Sequence, residues 1–387
     1  MSDSELPVNE TPKKKSSVRR WLLLGAAVLA VALIVVGVLI PGLLNPDRLT
    51  RYFKYLGVRD DEDYGRIRFD SSSSDSYAVF DGHFAVGCAD GLYLYDDYGE
   101  QLTLVQGSLP YPKLCTCDGL ALCYSSESST LLAIDKKGKT VLSDTADGMV
   151  FDAELSEDGC VCYAASGKGC KTLVTVMNKS LQVIYKWNSY SRYLNCCAIN
   201  DGAQRLAVVG LDQKDSVFCS TLSILRTDSE DDAVIAEAEM GNQLIYELYF
   251  TANDRLCAVG EQSTLFFDTE GHCLRTVDYE GLRLTDFTVG TGGTVFLSFE
   301  NGKDSVLVSL DADGGELARK TVSGSIQSLS ANGKYLAVLT QQELTVFSEK
   351  LAVFDRTAEY TAANRALARK DGTVLLVSNG QTQLYIP

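Results

Sequence analysis

A turn, an apolar strand, a short polar gap and a second apolar strand recur eight times along the chain, most copies about 40 residues apart. With 32 glycines, 19 tyrosines and 14 phenylalanines in 387 residues, the composition favours strands and tight turns. Together these predict an all-β fold, an eight-bladed β-propeller, with seven blades as the alternative if residues 202–254 hide irregular structure. A third observation sets the domain order: one continuous apolar run, Trp21 to Leu44, precedes every repeat.

That run contains no charged residue. Twenty-four helical residues rise about 36 Å, enough to cross a bilayer core. Its end, Leu39-Ile40-Pro41-Gly42, has no small-x-small cleavage site, so it reads as an uncleaved signal anchor in contact with lipid from Trp21 to Leu44. Lys13, Lys14, Lys15, Arg19 and Arg20 stand directly before it. Basic residues resist translocation, which predicts a cytoplasmic tail over 1–20, a span over 21–44 and everything beyond outside the cytoplasmic membrane. The tail's five basic and three acidic residues leave the remainder of the chain, overall −16, at −18. Such a surface is not that of a nucleic-acid binder, which must neutralise phosphates.

Residues 45–65 form the junction. Asn45 suits a helix cap, Pro46 its first position and Gly57 its end, and Leu49, Tyr52, Phe53 and Leu56 share one apolar face. Trp21, Tyr52, Phe53 and Tyr55 are the candidate membrane-interface aromatics, with Arg48, Arg51 and Lys54 near lipid phosphates; the other reading packs this face on the ectodomain.

The propeller occupies 66–387. Its clearest repeats begin at Asp81 (DGHFAVGCADGLYLY), Cys117 (CDGLALCYSSESSTLLAID), Asn253 (NDRLCAVGEQSTLFFD), Gly292 and Asn332. Each carries two turns. Asp-Gly or Asn-Gly supplies the positive φ of a tight hairpin, and Asp-x-x-Gly (Asp96 to Gly99, Asp135 to Gly138, Asp268 to Gly271, Asp311 to Gly314) suits a bulged one. Aspartates repeated in this register read as turn-formers, not ligands. The last copy stops one strand short at Pro387, and Arg66–Asp70 is a spare strand before the first. Pairing the two would close the ring and remove both open edges. In turn and strand pattern the repeats resemble WD40-like and quinoprotein-like β-propellers, although the Trp-Asp signature and the tryptophan-docking pattern are absent. The whole architecture resembles single-span, membrane-anchored propeller proteins of Gram-positive bacteria, which implies a propeller held outside the cytoplasmic membrane.

Little in the sequence carries chemistry. Two histidines, His83 and His272, both beside turns, leave no multi-histidine metal site. No serine-hydrolase elbow, zinc-protease helix, phosphate loop or dinucleotide fingerprint occurs. Catalytic, cofactor-binding and metal-ligating residues are therefore not assigned, and no cofactor is expected. Of twelve cysteines, Cys88, Cys123, Cys162 and Cys257 fall inside first middle strands and read as small, unpaired core residues.

The function this predicts is a non-enzymatic binding or scaffold module for a protein, peptide or envelope glycan. The alternative is an extracellular carbohydrate hydrolase or lyase using channel carboxylates. Channel carboxylates with raised pKa would favour the enzyme, and an exposed apolar patch would favour protein binding. The acidic loops around Leu211–Ser216 and Arg226–Asp232 are expected to form one surface for a neutral or basic partner, with Glu230, Asp231 and Asp232 as the candidate binding loop.

Overall fold

A computed structural model of the protein describes residues 46–58, 63–214, 216–229, 233–251, 254–359 and 362–387. The run Trp21–Leu44, the basic cluster from Lys13 to Arg20, and Glu230, Asp231 and Asp232 lie outside these residues. Among the described residues no helix is long and apolar enough to cross a membrane.

The chain divides into two units after Asp61. In the first, the helix spans Pro46–Tyr55. Tyr52, Phe53 and Leu56 are exposed, whereas Tyr55 and Arg51 are buried. Residues 51 and 55 are four apart and so share a helix face, distinct from that of Tyr52 and Phe53. Tyr55 and Arg51 therefore do not belong to the exposed aromatic and basic set expected of them.

In the second unit, eight antiparallel sheets follow one another in sequence order among the described residues. The blade count is eight, and residues 202–254 supply an ordinary blade. It differs only in its long second and third strands, Arg205–Lys214 and Val217–Arg226. Blade 1 shows the common plan: inner strand Ser76–Phe80, then His83–Cys88, Gly91–Tyr95 and the outer strand Gln101–Gln106. Asp81 and Gly82 both have positive φ (49° and 85°), as the two-residue hairpin pairing Phe80 with His83 demands. The Asp-x-x-Gly motifs are turns of the predicted kind. Asp96 Oδ1 accepts the Tyr98 and Glu100 amides at 2.9 and 2.8 Å, and Asp135, Asp268 and Asp311 repeat the arrangement.

Blade 8 has three strands of its own, Arg365–Ala368, Val374–Ser378 and Gln381–Tyr385. The segment before blade 1 takes the fourth place. Arg68 bridges Gln381, the Phe69 amide donates to the Gly380 carbonyl at 3.0 Å, and the Thr382 amide donates to the Ile67 carbonyl at 2.9 Å. Buried Thr382 accepts the Ile67 amide at 3.0 Å and donates to the Gly65 carbonyl at 2.9 Å. Ile67 is fully buried with Phe84, Val86, Leu375 and Val377, so the seam between the last and first blades has its own apolar core. An ion pair from buried Arg369 to Asp97 (2.5 Å) ties blade 8 to the outer turn of blade 1. The edge that would otherwise template aggregation is paired.

The other cores are likewise shared between neighbouring blades. One joins Cys162, Val174 and Val176 of blade 3 to Leu194, Cys197 and Val208 of blade 4. Cys196 points the opposite way and packs with Leu248 and Ala258 of blade 5. Consecutive strand residues face opposite sides, so a vicinal Cys-Cys here serves two cores and not a bond. All twelve cysteines are unpaired. Cys123, Cys162 and Cys257 are buried as expected. Cys88 is not: it ends its strand, half-buried, with Sγ donating to Asp90 Oδ1 at 3.0 Å.

Candidate functional site at the loop-rich end and the channel

Strand alternation gives the propeller two different ends. Inner strands turn into second strands, and third into outer, through the short Asp-Gly and Asp-x-x-Gly turns at one end. The second-to-third hairpins and the connections between blades gather at the other. This assigns the loops. Leu211–Ser216 belongs to the hairpin of blade 4 and lies at the loop-rich end. Arg226 ends its strand at the turn end, with Thr227, Asp228 and Ser229 directly following; Glu230, Asp231 and Asp232 lie outside the described residues. The described residues of the two loops expected to form one surface are thus at opposite ends, because the ten-residue strand Val217–Arg226 separates them and a strand's two ends cannot meet.

The inner strands line the central channel, and five of them are irregular in the same place. Register shifts opposite Phe151, Asn195, Tyr246, Thr285 and Gln327 mark a bulge near the start of the inner strands of blades 3 to 7. A bulge kinks the strand and re-aims the residues beside it. Those immediately following are Asp152, Cys196, Glu247, Asp286 and Ser328. Four of the five latch the next blade, Cys196 through its Sγ donating to the Ile245 carbonyl at 3.4 Å. Asp152 Oδ2 accepts the Cys197 amide at 2.9 Å, Asp286 accepts the Leu329 amide, and Ser328 Oγ accepts the Ala366 amide at 3.1 Å.

Asp152 does more. Its Oδ1 accepts the Tyr124 hydroxyl at 2.9 Å, and its carboxylate lies with those of Glu154 and Glu247, all within 4.8 Å of one another. Burial pushes the Glu154 carboxyl well above the usual carboxylate range, and repulsion from Glu247 and Asp152 adds to it. Burial and then Asp152 push Glu247 up to about 7, while Lys113 opposes the shift. Burial also raises Asp152, against the amide of Cys197 and the phenol of Tyr124. Glu154 and Glu247 also hydrogen-bond to each other, which adds to the rise of Glu154 and opposes that of Glu247. The trio is the one cation-sized carboxylate group among the described residues. Asp152, however, spends both oxygens inside the protein, which leaves two donors in competition with a proton. Nor is the spacing that of a glycosidase. There the two carboxyls flank the scissile bond about 5–5.5 Å or 6.5–9.5 Å apart.

Above this channel the loop-rich end exposes large apolar side chains. Tyr190 and Tyr193 enter blade 4, Val217 and Phe218 form the far side of its hairpin, and Leu244 and Tyr246 enter blade 5; Tyr190 and Phe218 are 70% and 68% exposed. Tyr111 and Met149 extend the set towards blades 2 and 3. No exposed large apolar residue among those described lies at this end of blades 6 to 8. Tyr193 pairs with Leu211, and Asn195 donates to the Ile245 carbonyl at 2.8 Å across the blade 4–5 boundary. The cations here are already engaged. Lys171 donates to the Ser191 carbonyl at 2.7 Å and sits 5.1 Å from the Tyr193 ring centre, and Arg192 pairs with Asp212 (2.8 Å) and Glu237 (2.5 Å).

A family model described as "Family of unknown function (DUF5711)" matches residues 54–384. The chain belongs to that family. No curated protein matches the sequence. Among solved structures the fold is similar to BamB from Moraxella catarrhalis, at 13% identity and a TM-score of 0.51, covering 82% of this chain and 97% of that one. It is similar also to the C-terminal WD40 domain of Sif2, at 11% identity and a TM-score of 0.56, covering 83% and 97%. At these identities the likeness concerns the propeller fold. The channel trio and the aromatic patch escaped sequence reading. Their members are spread over residues 111–247, and the sole local hint was acidic residues two apart in one inner strand, Asp152 and Glu154.

Proposed function

We propose that this member of the family is a propeller anchored in the cytoplasmic membrane by Trp21–Leu44, with its N-terminus inside, that holds a protein partner outside and performs no reaction itself. The observation that carries the binding role is the exposed apolar patch confined to one part of the loop-rich end. Large exposed apolar groups side by side are costly to leave in water and mark sites of protein association. Loops on a rigid ring are also where a propeller places specificity. The anchor rests on the uncharged length of the run and the five basic residues before it.

Two measurements test the reading. Protease added to intact cells or protoplasts should digest the propeller and spare a short N-terminal fragment; a soluble, processed ectodomain would refute the anchor. Cross-linking in cells, followed by capture of the full chain, should return one dominant protein partner whose yield falls when Phe218 and Tyr193 are both replaced by serine. Undiminished yield would refute binding through this end.

A further inference from the structure

The patch and the channel mouth adjoin: Tyr246, exposed at the bulge, is followed directly by Glu247, and Asn195 ties that strand to the blade carrying Tyr193. Apolar rings thus border an opening whose floor holds carboxylates, while the surface cations Lys171 and Arg192 are already partnered. Lys113 sets one positive charge against the floor's three carboxylates, so the floor is only partly matched. Asp152 is satisfied by an amide and a phenol, and within the trio Glu154 and Glu247 have only each other. A positive side chain arriving there would favour the ionised form of both glutamates, whereas a negative one would meet like charge.

We propose that the loop-rich end over blades 3 to 5 takes a partner polypeptide segment in which aliphatic or aromatic side chains flank a lysine or arginine. The apolar groups cover Tyr193, Phe218 and Tyr246, and the cation enters the channel over Glu247 and Glu154. This rests on the protein-binding role above and assigns its surface and the chemistry of its partner. The division of labour is physical: aromatic anchors supply most of the affinity, and the desolvated charge supplies selectivity.

The test uses the full chain in lipid nanodiscs. A displayed random-peptide library is panned on it, and an enriched peptide is then titrated by fluorescence anisotropy against the wild type, Phe218→Ser, Tyr246→Ser, Glu247→Gln and, at the turn end, Tyr98→Ser. Enriched peptides should carry Lys or Arg between apolar residues. Kd should rise about ten-fold or more for Phe218→Ser and Tyr246→Ser, since these are exposed anchor positions. Glu247→Gln should weaken binding and flatten its salt dependence, and Tyr98→Ser should change nothing. Acidic or purely apolar winners overturn the assigned chemistry. Binding lost in Tyr98→Ser but kept in Phe218→Ser overturns the surface and leaves the protein-binding role standing. No enrichment at all counts against both. Concentration-dependent self-association, or binding to peptide-free anionic vesicles, abolished by Phe218→Ser would assign the patch to a second copy or to lipid and overturn the proposal.

Discussion

Replacing Glu247 with glutamine should make the protein more stable, and only above mildly acidic pH. The carboxyl titrates near 4.5 when free of the fold and is pushed up to about 7 within it, by burial first and by Asp152 second. A raised carboxyl binds its proton more tightly in the folded chain, so its contribution to stability is greatest below about 4.5 and is lost as pH climbs to about 7. By linkage that loss is about 3 kcal/mol at pH 8. Glutamine has nearly the same shape, keeps a donor for Glu154 and cannot ionise. The variant and wild type should melt together near pH 4.5, separate progressively towards pH 7, and stay apart by roughly 4 °C at pH 8 for a propeller of this size. Thermal melts of the full chain at pH 4.5, 6, 7 and 8 supply the measurement. A gap that does not change with pH, or a glutamine variant that melts lower at pH 8, would refute the raised Glu247 carboxyl.

Ser328→Ala should cost about 1–2 kcal/mol at every pH, because it leaves the Ala366 amide without its partner and involves no titrating group; denaturant curves at pH 5 and 8 check the constancy. Deleting residues 382–387 should cause aggregation or loss of cooperative unfolding, and Ile67→Ala should cost about 2–5 kcal/mol, since both break the seam between the last and first blades. A truncated chain that melts like the full one would disprove the closure. In alkylation followed by peptide mapping, exposed Cys273 should react first, while buried Cys123, Cys162, Cys197 and Cys257 wait for denaturant; recovery of any of these four as a disulfide in freshly purified protein would contradict their thiol state.

The sequence determined what depends on local chemistry. Asp81-Gly82 can make only a tight hairpin, and Asp96 to Gly99 only a bulged turn, so strand pairs and their period could be read directly from the residues. Eight such units with a strand left over at Arg66–Asp70 already implied a closed ring, because an unpaired edge is costly and the missing strand had one available substitute. Tertiary structure alone decided what depends on where strands end. The acidic loops near 211–216 and 226–232 look alike in sequence, yet the rigid strand Val217–Arg226 sends their described residues to opposite ends of the propeller. The channel trio was illegible for a related reason. A bulge shifts register by one residue, and only that shift aims Asp152 and Glu247 from two blades at the space where Glu154 lies. Cys88 and Tyr55 were misplaced by the same limit. Strand or helix membership can be read from neighbours in the chain, but burial is set by neighbours in space.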